Sequence, residues 1–176
     1  MTFNQPQTLK EIASIIGARF VGDEHFQVLG SNEIHMVRPG DIVFVNHPKY
    51  YDKALNSAAT IILIDKEVEC PEGKALLISD DPFRDFNTIN THFTNIYNFK
   101  ETLNDTIIGE GTFIHPSAVV GNNVIIGKNC HIFPNVVIGD RTVIGDNVII
   151  QSGTVLGGDA FYYRKLNGNF DRMISV

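Results

Sequence analysis

The sequence predicts a small α/β domain followed by a β-helix of hexapeptide repeats, and three observations carry that prediction. An aliphatic residue returns at every sixth position nine times in a row: Ile108, Ile114, Val120, Ile126, Ile132, Ile138, Ile144, Ile150 and Leu156. Four places after each comes a small or β-branched residue: Thr112, Ala118, Val124, Cys130, Val136, Thr142, Val148, Thr154 and Ala160. The residues before 100 instead hold short apolar runs bounded by polar turns and broken by amphipathic helical stretches.

A period of six is neither helical nor a simple strand alternation. It is the spacing of a β-helix, where each short strand occupies one wall of a coil and stacking places like positions above one another. With three hexapeptides per coil, the aliphatic points inward and the small residue fits the narrow interior near the next corner, where a larger side chain would overpack. Polar pairs such as Asp140-Arg141 and Asp146-Asn147 fall at corners, where Gly, Asn and Asp tolerate positive φ. Ordinary hairpins would need alternation and irregular spacing. Nine repeats make about three coils, close to the minimum for a stable solenoid. The flat prism walls need cover, and by analogy with the fold a homotrimer is expected.

Residues 1–100 read as the α/β domain. Thr8-Leu9-Lys10-Glu11 forms a capping box that opens a helix through Ile12, Ile15 and Ile16, stopped at Gly17. Strands are predicted at 19–21, 26–29 and 41–45. Pro48 suits the first turn of a helix reaching about Leu55. Residues 60–64 and 75–78 read as buried strands. Asp81-Pro82 starts a longer helix whose Phe83, Phe86, Ile89, Phe93 and Ile96 share one face, a stripe that reads as core packing. Residues 98–105 form a polar linker, and 101–176 carry the β-helix, ending in a protruding hairpin with Asn167-Gly168 at its turn.

Composition excludes several functions. The net charge is −6, with no basic run, which disfavours nucleic-acid binding and electrostatic membrane docking. No stretch approaches the roughly 20 apolar residues of a membrane span, and no signal segment opens the chain, so a cytoplasmic location is the expectation. Cys70 and Cys130 have no metal-like spacing partners. His115 and His131 are not at equivalent positions of an 18-residue coil, so each reads as a surface or interface residue rather than a metal ligand. No cofactor is expected.

Phe44-Val45-Asn46-His47-Pro48-Lys49-Tyr50, on a strand-to-helix turn ahead of a hexapeptide domain, resembles the uridine-binding motif of the UDP-3-O-acylglucosamine N-acyltransferases. The resemblance extends to Gly17-Ala18-Arg19-Phe20-Val21-Gly22-Asp23, to Arg38-Pro39-Gly40-Asp41, and to Gln151-Ser152-Gly153-Thr154-Val155-Leu156-Gly157-Gly158-Asp159-Ala160-Phe161-Tyr162-Tyr163. It implies a uridine-recognition domain on a trimeric left-handed β-helix that acts in lipid A biosynthesis. The implied reaction moves a 3-hydroxyacyl chain from acyl carrier protein to the 2-amino group of UDP-3-O-acylglucosamine. By the same resemblance Phe44 and Tyr50 flank the uracil, while Asn46 or His47 hydrogen-bonds its edge. The family reads Asn directly before Pro-Lys-Tyr, whereas here His47 holds that place and Asn46 precedes it. The alternative roles are a core residue for Phe44 and a helix cap for Asn46 or His47.

Attack of the sugar amine on a thioester needs a general base and an oxyanion donor. In the family that base is a histidine in coils beyond the segment ending near Tyr163, so the chain reads as C-terminally truncated, and the sequence assigns no catalytic residue and expects no acyl transfer from it alone. Two other readings stand beside this one: a UDP-sugar-binding module without activity, and another hexapeptide enzyme such as an acyltransferase using coenzyme A or a metal-dependent hydratase.

Overall fold

The structure, a computed structural model, describes residues 1–94 and 105–174. The expected linker, apart from Asp105, and Ile96 of the helical stripe lie outside the described residues. Two units form: residues 1–94 with 161–174, and residues 105–160.

In the first unit, β1 (Thr2–Thr8) leads into α1 (Leu9–Ile16), followed by β2 (Arg19–Val21), β3 (Gln27–Ser31) and β4 (Asp41–Val45). A 3-10 turn at Pro48–Tyr50 runs into α2 (Tyr51–Leu55), then β5 (Ile61–Ile64), β6 (Ala75–Ile78) and α3 (Pro82–Phe93). The sheet order is β1-β3-β4-β5-β6-β2. Its four central strands are parallel, and the two outer ones pair antiparallel.

Alternation along β4 splits the core. Ile42 and Phe44 join the cluster that holds Leu9 and Ile12 of α1 and Phe86 and Ile89 of α3. Val43 and Val45 join the opposite cluster, with Ala54 of α2. The whole of β5 is buried, as a central parallel strand covered on both faces must be, which is why its sequence is a continuous apolar run rather than an alternation.

The capping box forms as predicted: Glu11 N–H donates to Thr8 Oγ1 at 3.2 Å and Thr8 N–H to Glu11 Oε2 at 2.7 Å. Gly17 ends α1 in the left-handed region at φ 64°. The strand β1 is absent from the sequence expectation, because Pro6 interrupts it and its register against β3 slips between Thr2 and Gln7. Proline lacks a ladder donor and is tolerated at this sheet edge. Phe3 anchors β1 by stacking on Phe93 at 4.2 Å. The strand predicted at 26–29 lies at Gln27–Ser31, two residues further along at its end.

The second unit is a left-handed parallel β-helix. Among the described residues it holds β7 (Ile107–Ile108), β8 (Phe113–Ile114), β9 (Val119–Val120), β10 (Ile125–Ile126), β11 (His131–Ile132), β12 (Val137–Ile138), β13 (Val143–Ile144), β14 (Ile149–Ile150) and β15 (Val155–Leu156). They stack as three walls, β7-β10-β13, β8-β11-β14 and β9-β12-β15, each in register at 18-residue spacing, as in Ile108↔Ile126↔Ile144. Inside lie Val124, Ile126, Cys130, Ile132, Val136 and Ile138. Each fully buried aliphatic there contributes about 1.5–3 kcal/mol relative to exposure.

Positive φ recurs at Asp105, Gly111, Asn123, Asn129, Asn135, Arg141, Asn147 and Gly153, the corner positions. Arg141, at φ 61°, is the long, unsuited side chain in that series, stacked in sequence one coil after Asn123. Arg141→Asn is expected to stabilise the unit by about 0.5–1 kcal/mol by relieving left-handed strain. A raised urea midpoint at unchanged slope checks this, and an unchanged midpoint refutes it.

The hairpin is β16 (Tyr163–Leu166) and β17 (Asn169–Arg172), with Asn167 and Gly168 at φ 51° and 86°, both positive as a type I′ turn requires. The sequence expectation placed these residues with the β-helix as a protrusion. Instead they pack with the α/β unit, where Asn87 of α3 donates to Arg172 O at 2.9 Å and accepts from Ile174 N–H at 3.0 Å.

Candidate functional site

The turn Arg38-Pro39-Gly40-Asp41 sets the entry to β4. Asp41 N–H donates to Arg38 O at 3.0 Å, and Gly40 at φ 91° fits the second central position of a type II turn. A Cβ at Gly40 would lie 2.7 Å from the Leu29 side chain, so the position needs glycine sterically as well. The nearly buried Asp41 carboxylate closes the turn by accepting Arg38 N–H at 2.8 Å.

The strand β4 then delivers Asn46 and His47 to the carboxyl end of the parallel sheet, the edge at which open α/β sheets bind ligands. His47 takes extended backbone (φ −143°) and caps the 3-10 turn: its Nδ1 accepts Lys49 N–H at 3.2 Å. Acceptance at Nδ1 leaves the N–H of a neutral imidazole on Nε2, facing away from the cap as a donor. Asn46 is exposed. Tyr50 is 49% exposed, with His47 at 6.1 Å between ring centroids and the Lys49 ammonium 5.5 Å from its ring.

Phe44 is half-buried and finds its ring partners on α3: Phe86 at 5.0 Å and Phe83 edge-on at 6.0 Å. The structure thus brings His47 to Tyr50, while Phe44 packs against α3 and makes no ring contact with either. The turn is pinned below by Tyr51, whose hydroxyl donates to Asp65 Oδ1 at the end of β5. Burial and that bond push the phenol up to about 12, so it stays a donor across the ordinary pH range. Tyr50 and His47 offer exposed aromatic surface beside an imidazole, with the exposed amide of Asn46 next in the chain, groups suited to a planar heterocycle with polar edges.

Away from this turn the chemistry is sparse. His115 holds a corner of the β-helix: its Nδ1 accepts Ser117 N–H at 3.1 Å. His131 points outward from β11 and is exposed. Among the described residues no group of three His, Cys, Asp or Glu side chains could hold a metal ion. Cys70 and Cys130 are free thiols, and burial pushes that of Cys70 up. Lys74 donates to Ala59 O at 2.8 Å as a tie across a loop, and burial lowers its pKa.

One cluster escapes sequence reading. Arg164 of β16 bridges Asp81, the N-cap of α3, with Nη2 to Oδ2 at 2.9 Å, and Asp171 at 3.0 Å. The Arg164 guanidinium holds the Asp81 carboxyl below the usual carboxylate range. Arg164 and Asp81 stand 83 residues apart, so no local pattern marks their pairing.

Residues 25–92 match the family model for UDP-3-O-(3-hydroxymyristoyl) glucosamine N-acyltransferase, LpxD, and residues 105–140 and 123–158 match that for the bacterial transferase hexapeptide (six repeats). The chain is 38% identical over 114 residues to UDP-3-O-acylglucosamine N-acyltransferase 1 of Sulfurimonas denitrificans, across 64% of this chain and 35% of the relative. It is 32% identical over 116 residues to the UDP-3-O-acylglucosamine N-acyltransferase of Syntrophus aciditrophicus, across 65% of this chain and 32% of that protein. A third such relative, from Syntrophotalea carbinolica, is 31% identical over 121 residues, across 65% and 35%. The chain spans about a third of the length of these curated relatives. No helix among the described residues is long and apolar enough to cross a membrane.

Proposed function

We propose, from its kinship with the UDP-3-O-acylglucosamine N-acyltransferases, that the chain binds UDP-3-O-acylglucosamine through the turn after β4 and serves its N-acylation in lipid A biosynthesis. Acyl carrier protein bearing a 3-hydroxyacyl chain is the donor, and the cytoplasm is the site of the reaction. The observation that carries this reading is the arrangement of Phe44, Asn46, His47 and Tyr50 at the carboxyl end of β4, inside the segment that matches the family. Phe44 and Tyr50 flank the uracil. Either Asn46 or the outward Nε2–H of His47 meets its polar edge.

A homotrimer completes the assembly. Eight of the nine outward strand positions of the β-helix are apolar and exposed: Ile107, Phe113, Val119, Ile125, Val137, Val143, Ile149 and Val155. Exposed apolar walls of this extent favour association of copies.

Titration with UDP-GlcNAc tests the site. Saturable binding is expected, and Tyr50→Ala weakens it about fivefold or more, since stacking of one base on an aromatic ring is worth about 1–3 kcal/mol. No binding, or binding indifferent to Tyr50→Ala, sinks the uridine reading. A second reading, binding without turnover, draws support from His115 being committed to a corner and His131 to an apolar wall. An acyl-transfer assay on the same chain separates the two.

A further inference from the structure

The hairpin at 161–174 belongs to the same unit as the nucleotide turn, and its contacts converge on one buried ring. Phe83 is 1% exposed. Tyr162 stacks on it at 5.9 Å between centroids and 22° between planes, and the Arg164 guanidinium lies 4.5 Å from its centroid. Phe83 also meets the Phe44 ring at 87°. Arg164 is held over Phe83 by Asp81 and Asp171. The hairpin is therefore fastened to α3 at its charged pair, at its aromatic stack and at Asn87.

We infer that Phe83 and Arg164 are positioning residues for nucleobase binding: the docked hairpin clamps Phe83, and Phe83 fixes the orientation of the Phe44 ring. This rests on the uridine reading above. The physical reason is preorganisation. A half-buried ring free to tilt loses that freedom when a base stacks on it, whereas a ring already fixed from behind has little left to lose. Coupling is reciprocal, so a ligand that needs the fixed ring tightens the hairpin by the factor by which the hairpin tightens the ligand.

The test uses the full chain, Arg164→Ala, Arg164→Lys and Phe83→Leu, with UDP as the probe. Three readouts are taken: UDP affinity, amide exchange across 161–174, and the 19F line of 4-fluorophenylalanine placed at position 44. Arg164→Ala is expected to speed exchange in the hairpin, alter the 19F line without ligand, and weaken UDP about tenfold, within the usual range of coupling between sites. Arg164→Lys keeps a cation over the ring and recovers part of the affinity. Phe83→Leu keeps the Arg164–Asp81 bridge and the Asn87 tie, so it speeds hairpin exchange less than Arg164→Ala does, yet it weakens UDP at least as much, a split that a merely structural role would not give. Saturating UDP slows exchange at 161–174 in the unmodified chain. Faster hairpin exchange in Arg164→Ala with unchanged UDP affinity overturns the inference. If the unmodified chain fails to bind UDP, the uridine reading falls, and an unaltered 19F line in Arg164→Ala then also removes the coupling of the hairpin to Phe44.

Discussion

Gly127→Ala lowers the stability of the β-helix unit by about 3 kcal/mol, while the same substitution one coil further on, Gly145→Ala, is neutral or slightly stabilising. The two glycines occupy like positions, and neither has positive φ. What separates them is the next layer of backbone. A Cβ at Gly127 would lie 2.4 Å from Asp146 Oδ1, 2.5 Å from the Gly145 carbonyl carbon and 2.6 Å from Asp146 N. Two of those atoms are main chain and cannot swing away. The third, Asp146 Oδ1, is held because it accepts Lys128 N–H at 2.7 Å. Coils one strand spacing apart leave no room for a methyl group between them. At Gly145 a Cβ meets nothing within 4 Å, and alanine there only restricts the unfolded chain. Urea unfolding at fixed protein concentration reads the difference, the concentration being fixed because association would shift apparent stability. Equal losses at both positions would show that coil-to-coil approach does not set the requirement for glycine.

The β-helix is legible from sequence because its constraint is local and repeated. Each inward position faces the same neighbours one coil away, so a period of six suffices to place Ile126, Ile132 and Ile138 in one interior layer, with like residues 18 positions away above and below. The corners are legible where Asn supplies the left-handed backbone, as at 123, 129, 135 and 147, whereas at Arg141 only the repeat marks the corner and the residue type gives no sign of its positive φ. In the α/β unit, caps and turns carry signals of their own: Thr8 with Glu11, Gly17, and Asp81 with Pro82 all act where the sequence places them. The strand β1 is not legible, since Pro6 argues against a strand and only its edge position permits one. The candidate site divides the same way. The turn residues 46–50 follow from strand-to-helix chemistry, and His47 is a cap as one of its alternative readings foresaw. The support of Phe44 by Phe83 and Phe86, and of Phe83 by Arg164 and Tyr162, depends on pairings distant in the chain. Side chains that meet only through tertiary packing leave no spacing to read.

Ile132→Ala is the second large effect, at about 4 kcal/mol, against about 1 kcal/mol or less for Ile108→Ala. Ile132 is 0% exposed and stands in the middle strand of its wall, paired with Ile114 before it and Ile150 after it. Truncation there removes three methyl or methylene groups and leaves a hole that neither neighbour can fill, because both are tied into strands by backbone bonds such as His131 N–H to Val148 O at 2.9 Å and His115 N–H to Ile132 O at 2.9 Å. The cost is therefore transfer plus cavity, with little relaxation to reduce it. Ile108 belongs to the first coil and is 48% exposed, so much of its side chain already faces solvent and its loss opens no enclosed space. Ile132→Val, which removes one methylene, falls between them at about 1 kcal/mol. The ordering Ile132→Ala far above Ile132→Val and Ile108→Ala is the signature of a closed column whose central layer is sealed on both sides. Similar losses at Ile132 and Ile108 would mean that the inward aliphatics do not form one, and the assignment of these repeats to a β-helix would fail with it.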